Sequence, residues 1–336
     1  MKVMFATYPM AFHTPGGGEI QLLAYQKHLP AQGIEVIPFD QWSPRFLEYN
    51  LVHFFSCVGG SSHFCGFVKQ LDLPLIVSSS LWITEETKDL YPIGEIRTQL
   101  DLADCVVANS DMECDMLSQV LDLPRDKFST VYNGVDDIFF DKPSPDLFRR
   151  EFGIGQPFIL NVGNIEPRKN QLRLAQAMKS FPDYKLVLIG HVRDQAYFEN
   201  LMETAEEQLI HIGSLPHESE LLRSAYQSCE AFVLPSTLET PGLAALEAAA
   251  QGAALVVTKE GSTQEYFADD AIYVNPESID SISQGVSAAL SGQLSAIDVK
   301  RLEERVRRSF SWSSASRRLS LVYREVTTKK EFINET

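Results

Sequence analysis

The sequence predicts an α/β protein built from two doubly wound, Rossmann-like parallel sheets. Short apolar runs alternate with helical patterns along the chain, and these runs form two sets of six. Continuous apolar runs are typical of strands that helices cover on both faces. The length of 336 residues, 44% of them hydrophobic, also suits two domains. Two such sheets facing each other would leave a cleft, which is a common ligand location.

The predicted elements follow in chain order. The strands of the first half are expected over 2–10, 35–39, 51–57, 73–79, 105–110 and 128–133. Those of the second half are expected over 158–163, 184–190, 209–215, 231–236, 254–258 and 271–275. After Pro276 only helical patterns remain, over 299–308 and 312–326. The Pro- and Gly-containing stretch 136–156 is typical of a linker and predicts the boundary between the domains.

Charge and cysteine content exclude several classes of protein. There are 45 acidic and 29 basic residues, and a net charge of −16 argues against nucleic-acid binding. It also favours at most a weak peripheral contact with an anionic membrane. The 5 cysteines form no C-x-x-C pair, so a zinc ribbon is not expected. Neither a signal peptide nor a transmembrane segment is predicted, and we expect a cytoplasmic protein.

The first candidate motif is the run Pro15-Gly16-Gly17-Gly18-Glu19, between the first strand and the first helical pattern. Glycines allow backbone N–H groups to approach an anion, and the helix that follows presents its positive end. The run departs from G-x-G-x-x-G and lacks a suitably spaced acidic residue, which disfavours NAD binding. The alternative is a flexible turn.

The second motif follows the first strand of the second half. Gly163 and Asn164 precede Arg168 and Lys169, which lie where that strand's carboxyl end meets the next helix. A point charge from lysine and a bidentate fork from arginine suit a phosphate or diphosphate. The alternative is an exposed basic pair on a solvated loop.

The third motif places two carboxylates around the start of a helix. Glu239 lies in a loop after the strand predicted over 231–236, and Gly242 and Leu243 begin an alanine-rich helical run. Glu247 is the only polar residue in the helical run 243–250. Burying its charge is costly unless the carboxylate has a hydrogen-bonding partner. The motif therefore offers acceptors for ligand hydroxyls beside a helix end that favours phosphate. The alternative is a pair of glutamates that only complement the helix dipole.

The ordered motifs resemble one family. The pattern F-V-L-P-S-x-x-E-x-x-G-L-x-x-L-E-A over 232–248 is similar to the retaining GT-B fold glycosyltransferases of family 4, the group 1 type. The resemblance extends over nearly the whole chain. It also includes the glycine run, Asn109-Ser110, the stretches 132–136, 166–170 and 261–265, Gly213 and Phe310-Ser311-Trp312.

The resemblance implies a role for each matching residue. Glu247 would hold the ribose hydroxyls of a sugar nucleotide and Glu239 the hydroxyls of the donor sugar. Lys169 would stabilise the departing diphosphate, with Arg168 nearby. The remaining donor-binding positions would be Gly17, Gly18, Gly163, Asn164, Gly242 and Leu243.

The resemblance also implies the organisation and the reaction. Residues 1–145, joined by the C-terminal helix 312–330, would form the acceptor-side domain, and residues 150–311 the donor domain. The substrates would be a UDP- or GDP-sugar and a glycan, lipid-linked or small-molecule acceptor, as in polysaccharide biosynthesis. Transfer would retain the anomeric configuration and use no metal and no cofactor.

Three positions depart from the family pattern. Asn164 stands where many members have a second phosphate-binding arginine, and Pro241 replaces the usual phenylalanine. Ser80 is the best match to a histidine that faces the sugar, and His13 beside the glycine run is a second candidate on the sugar or acceptor side. A non-catalytic sugar-nucleotide binder and a sugar-nucleotide epimerase on a related fold remain alternatives.

Overall fold

The computed structural model describes residues 1–13, 15–58 and 60–334, with the backbone alone for 331–334. The chain divides into two compact units. Unit 1 contains Met1–Gly134 and the C-terminal helix that starts at Trp312, and unit 2 contains Val135–Ser311. The division after Gly134 lies just before the linker predicted over 136–156. Val135 forms a parallel β-bridge with Ser311, and both residues belong to unit 2.

Unit 1 contains a parallel sheet of six strands in the order β2-β1-β3-β4-β5-β6. The strands are β1 Lys2–Thr7, β2 Glu35–Pro38, β3 Leu51–Phe55, β4 Leu75–Ser78, β5 Cys105–Ala108 and β6 Phe128–Thr130. The helices that precede the unit boundary are α1 Gly17–His28, α2 Ser62–Gln70, α3 Ile93–Leu102 and α4 Asp111–Leu121. The central strands β3, β4 and β5 are buried along their whole length, as continuous apolar runs predict.

Unit 2 repeats this architecture with the strand order β12-β11-β10-β7-β8-β9. The strands are β7 Phe158–Val162, β8 Lys185–Ile189, β9 Leu209–Gly213, β10 Ala231–Leu234, β11 Leu255–Thr258 and β12 Ile272–Val274. The helices are α5 Asp146–Phe152, α6 Gln171–Met178, α7 Gln195–Ala205, α8 Glu220–Ser228, α9 Leu243–Ala250, α10 Thr263–Phe267, α11 Ile279–Leu290 and α12 Ala296–Ser309. Every strand pair in the two sheets is parallel, which requires a crossover between strands.

The predicted α/β architecture with two doubly wound parallel sheets is confirmed. The 12 strands of the described residues all fall within the predicted ranges, and 11 of them end one to three residues before the predicted carboxyl limit. These carboxyl-end residues leave the sheet to form loops. In a doubly wound fold that edge of the sheet is where ligands bind.

The last helix, α13 Trp312–Asn334, packs on unit 1. The Trp312 ring meets the Tyr25 ring of α1 edge-on, with the centroids 5.6 Å apart. The Tyr323 hydroxyl lies 2.6 Å from His53 Nδ1, and Ser78 Oγ lies 2.9 Å from His53 Nε2. Burial lowers the pKa of His53 to about 3, so this core histidine is neutral. Among the described residues, α13 and the other helices include none whose length and apolarity match a membrane span.

Candidate functional site

Three loops of unit 2 join at the carboxyl edge of its sheet. They follow β7, β10 and β11, which are neighbours in the sheet. Thr237 N donates to Arg168 O at 2.9 Å and connects the first two loops. Glu239 forms a parallel bridge with Gly261 and connects the second loop to the third. These backbone contacts fix the positions of the side chains that the loops carry.

Two glycines allow the backbone to enclose Glu239. Gly261 has φ +98°, and a Cβ there would stand 2.0 Å from the carbonyl oxygen of Glu239. Gly242 has φ +85°, and a Cβ there would stand 3.2 Å from Glu239 Oε2 and 2.8 Å from Leu234 Cδ2. A residue with a side chain would be strained at either position, because φ is in the left-handed region and space is lacking.

An ion pair forms the centre of this cluster. Lys169 Nζ donates to Glu239 Oε1 at 2.6 Å, and Arg168 Nη1 lies 3.7 Å from the same oxygen. The side chains of Lys169 and Glu239 are only 14% and 6% exposed. Burial by itself would raise the pKa of Glu239, but Lys169 and Arg168 outweigh it and the pKa is lowered, so the carboxylate is ionised. The Lys169 side chain also lies along Gly163, with Cε 3.5 Å from where a Cβ would stand.

Asn164 lies beside a cation that the sequence reasoning did not single out. In the amide orientation that gives both the oxygen and the nitrogen of the Asn164 side chain suitable partners, Asn164 Oδ1 accepts from Arg193 Nε at 3.1 Å. Arg193 also donates to Glu166 at 3.3 Å, and Arg168 donates to the other oxygen of Glu166 at 3.2 Å. Arg193 follows the carboxyl end of β8. Because ligands bind at that edge of a doubly wound sheet, its position after a predicted strand could have identified it as a candidate.

Glu247 has two protein partners. It lies in α9, whose first residue is Leu243 and whose N-cap is Gly242, without a capping side chain. The Tyr226 hydroxyl donates to Glu247 Oε2 at 2.8 Å, and His217 Nε2 lies 2.8 Å from Oε1. The fold itself therefore supplies hydrogen-bonding partners that offset the burial of this carboxylate.

His217 and Tyr226 were missed by the sequence reasoning. Tyr226 lies within α8, and no local pattern distinguishes it from an ordinary core tyrosine. His217 lies in the loop that follows the carboxyl end of β9, where a doubly wound fold positions functional groups. The hydrogen bond to Glu247 raises the pKa of His217, and burial lowers it by a smaller amount. The net effect is a raised pKa, which favours the imidazolium.

We expect His217→Gln to destabilise the protein more at pH 6 than at pH 9. Because the folded pKa of His217 is raised above its unfolded value of about 6.5, its contribution to stability is complete below that value. The contribution is lost as the pH rises through the folded pKa. Urea unfolding of the wild type and of His217→Gln across this range measures the difference. A difference that is constant with pH would contradict the ion pair with Glu247.

Unit 1 has a cavity of about 190 Å³ at the carboxyl ends of β1, β3 and β4. Gly18 and Ser80 both line it. Gly17 and Gly18 lie in the first turn of α1 and not in the preceding loop, where the sequence predicts them. His13 is exposed in the short 3₁₀ segment Ala11–His13 and is not among the described residues that line the cavity.

The structure thus brings together part of the predicted site. Arg168, Lys169, Glu239, Gly163 and Gly242 form one contact cluster in unit 2. Glu247 forms a second group with His217 and Tyr226, one helical turn beyond Leu243. Gly18 and Ser80 belong to the cavity of unit 1.

Comparison with known proteins finds a matching family and several relatives. Residues 146–309 match the family Glycosyl transferases group 1. An uncharacterized glycosyltransferase of Methanocaldococcus jannaschii is 25% identical over 318 residues, covering 89% of this chain and 78% of that protein. The alpha-maltose-1-phosphate synthase of Mycolicibacterium smegmatis is 26% identical, over 73% of this chain and 70% of that protein.

Solved structures share the fold. Sucrose-phosphate synthase from Thermosynechococcus elongatus superposes with a TM-score of 0.82 at 18% identity, covering 98% of this chain and 100% of that one. Anabaena HepE in complex with UDP-glucose superposes with a TM-score of 0.76 at 18% identity, over 97% of this chain and 100% of that one. These matches confirm the GT-B fold, and the family match identifies residues 146–309, which form most of unit 2, as a domain of the family Glycosyl transferases group 1.

Proposed function

We propose that the protein transfers a sugar from a UDP- or GDP-sugar to a glycan, lipid-linked or small-molecule acceptor. The observation that carries the proposal is the cluster of Arg168, Lys169 and Glu239 beside the uncapped start of α9. It combines cations for a diphosphate with a carboxylate for sugar hydroxyls. HepE, which shares the fold, has been crystallised with UDP and with UDP-glucose, which supports a nucleotide-sugar donor.

Lys169 and Arg168 are proposed to stabilise the diphosphate as it leaves. With Glu239 ionised, these three side chains carry a net charge of +1, which a diphosphate group would more than neutralise. The open N-terminus of α9 adds the partial positive charge of its N–H groups. In this proposal fixed side-chain cations and backbone donors stabilise the leaving group, so the transfer requires no metal.

Glu239 is proposed to bind the donor sugar and Glu247 the ribose. A carboxylate has about four acceptor sites, and Lys169 occupies one of them on Glu239.

The proposed chemistry is retaining. The bond between the sugar's anomeric carbon and the diphosphate oxygen breaks, and a bond to the acceptor oxygen forms on the same face. The departing diphosphate accepts the proton of the acceptor hydroxyl, so the step balances without a further reactant. The protein's contribution is to hold the diphosphate and to stabilise the charge that develops on it.

The proposal is tested by incubating the protein with panels of UDP- and GDP-sugars, with and without EDTA, in the presence of mixed acceptors. We expect release of nucleoside diphosphate with at least one donor, insensitivity to EDTA, and an α-linked product from an α-linked donor by NMR. Absence of both turnover and donor binding would refute the proposal. Donor binding without turnover would indicate a non-catalytic binder, and donor isomerisation without an acceptor would indicate an epimerase.

A further inference from the structure

The loop after β8 brings Arg193 to the flank of the cluster that is proposed to hold the diphosphate. β8 is the neighbour of β7 on the side away from β10, so the β7 loop lies between the loops that carry Arg193 and Glu239. Ile165 forms a parallel bridge with Val192, and Arg193 N donates to Ile165 O at 3.1 Å. Arg193 is therefore fixed at the carboxyl edge of the sheet, where ligands bind in a doubly wound fold.

Close contact between two glycines joins the β7 and β8 loops. A Cβ at Gly190 would stand 1.9 Å from the carbonyl oxygen of Gly163, so the two backbones touch where a side chain has no space. The Lys169 side chain lies along the same Gly163. Asn164, the next residue, is held by Gln171 Nε2, which donates to its carbonyl oxygen at 2.9 Å. The loop of Arg193 and the side chain of Lys169 thus meet at Gly163.

An alternating series of charges connects Arg193 to Lys169. Arg193 Nη1 donates to Glu166 Oε2 at 3.3 Å, and Arg168 Nη2 donates to Glu166 Oε1 at 3.2 Å. Arg168 Nη1 in turn lies 3.7 Å from Glu239 Oε1, the oxygen that Lys169 Nζ approaches to 2.6 Å. The Arg193 and Arg168 side chains are 30% and 50% exposed, against 16% and 6% for Glu166 and Glu239. The two arginines are therefore the members that a ligand reaches most easily.

The formal charge of this series depends on Arg193. With both carboxylates ionised, Arg168 and Lys169 are balanced by Glu166 and Glu239, and these four side chains are neutral as a group. Arg193 brings the net charge to +1. Because a diphosphate is attracted by net positive charge, the third cation supplies the attraction that the other four side chains together lack.

We propose that Arg193 is a third cation of the diphosphate site and binds the departing group together with Lys169 and Arg168. This inference rests on the proposed function and adds to it a residue from the loop after β8. Asn164 accepts from Arg193 Nε, and Glu166 accepts from Nη1, so the guanidinium is held from two sides. The planar fork of an arginine suits a phosphate, and holding it in advance lowers the entropic cost of binding.

Calorimetry with UDP and with GDP on the full chain tests this assignment. Arg193→Met removes the charge, and we expect it to weaken nucleotide binding about 10- to 100-fold, the range for loss of one hydrogen bond to a charged group. Arg173→Met is the matched control. Arg173 also donates to an asparagine and a glutamate, Asn170 at 3.2 Å and Glu277 at 2.9 Å, and its side chain is 36% exposed. It lies outside the alternating series, so its loss should change the affinity less than about threefold.

An exchange variant separates contact with the phosphate from support of the loops. Arg193→Asn combined with Asn164→Arg moves the guanidinium to the β7 loop and keeps the composition. Because the Asn164 side chain contacts Arg193, an arginine at position 164 can reach the same region. We expect the exchange to bring the affinity back to within about threefold of wild type. Urea unfolding checks that each variant folds, and Arg193→Lys, which keeps the charge, replaces the exchange if the exchange does not fold.

Two results would overturn the assignment. Binding by Arg193→Met within about threefold of wild type would mean that Arg193 does not contact the diphosphate. A folded exchange variant that binds as weakly as Arg193→Met would mean that Arg193 only supports Asn164 and Glu166. Failure of the wild type to bind either nucleotide is a different outcome, because it would overturn the proposed function on which this inference rests.

Discussion

Lys169→Ala is expected to lower the rate of nucleoside-diphosphate release about 10²–10³-fold, the loss typical of removing one donor to a developing negative charge. The Lys169 side chain is only 14% exposed, and its Nζ is held 2.6 Å from Glu239 Oε1. The lysine therefore needs little movement to stabilise the diphosphate as it leaves. The loss should appear in kcat measured at saturating donor, because the negative charge on the diphosphate is greater in the transition state than in the bound donor.

The same substitution should also destabilise unit 2. Removing one partner of a buried ion pair costs about 3–5 kcal/mol, because it leaves an uncompensated charge. Arg168 Nη1, 3.7 Å from Glu239, should keep the loss near the lower limit. The double variant Lys169→Met with Glu239→Gln removes both charges and should recover stability but not activity. Urea unfolding and donor-turnover assays on the two variants separate the two effects.

Lys142→Ala provides the matched control. Lys142 Nζ also lies 2.6 Å from a carboxylate, that of Glu303, but the Lys142 side chain is 44% exposed. Exposed ion pairs are worth about 0–1 kcal/mol, so this variant should be close to wild type in both assays. If Lys169→Ala retained a rate within about threefold of wild type, Lys169 would have no role in charge stabilisation.

The sequence was sufficient to predict the sheets because their signal is local. Each strand is a short apolar run, and burial on both faces requires such a run whatever the tertiary details. The order of the strands is constrained further by right-handed crossovers between parallel neighbours. The limits of elements were less predictable: Gly17 and Gly18 start α1, because the Glu19 side chain accepts from Gly16 N and closes the first turn there.

The contacts of the candidate site could not be predicted, because they depend on side chains distant in the chain. Lys169 and Glu239 are 70 residues apart, and their pairing follows from β7 lying next to β10. His217 reaches Glu247 over 30 residues, through the packing of α8 against α9. A pattern at fixed spacing can identify Glu247 as a candidate but not its partners, since those are selected by the tertiary fold.

Glu247→Gln is expected to weaken binding of the nucleotide about 10- to 100-fold, measured by calorimetry with UDP and GDP. Hydrogen bonds to a charged group contribute about 1.5–3 kcal/mol, and each 1.4 kcal/mol is a factor of ten in affinity. In the variant, one neutral amide oxygen would replace the charged carboxylate as the acceptor for the ribose hydroxyls. The rate at saturating donor should change little, which distinguishes this residue from Lys169.

Tyr226→Phe is the control that separates donor binding from support of the fold. The Tyr226 hydroxyl donates to the Glu247 carboxylate inside the core, so its removal should lower the free energy of unfolding by about 1.5–3 kcal/mol. It leaves the carboxylate charge in place, so nucleotide affinity should fall less than threefold. Tyr226→Phe could instead weaken nucleotide binding as much as Glu247→Gln does. In that case the contact between Tyr226 and Glu247 would affect binding by ordering α9, and the loss in Glu247→Gln would not come from a hydrogen bond to ribose.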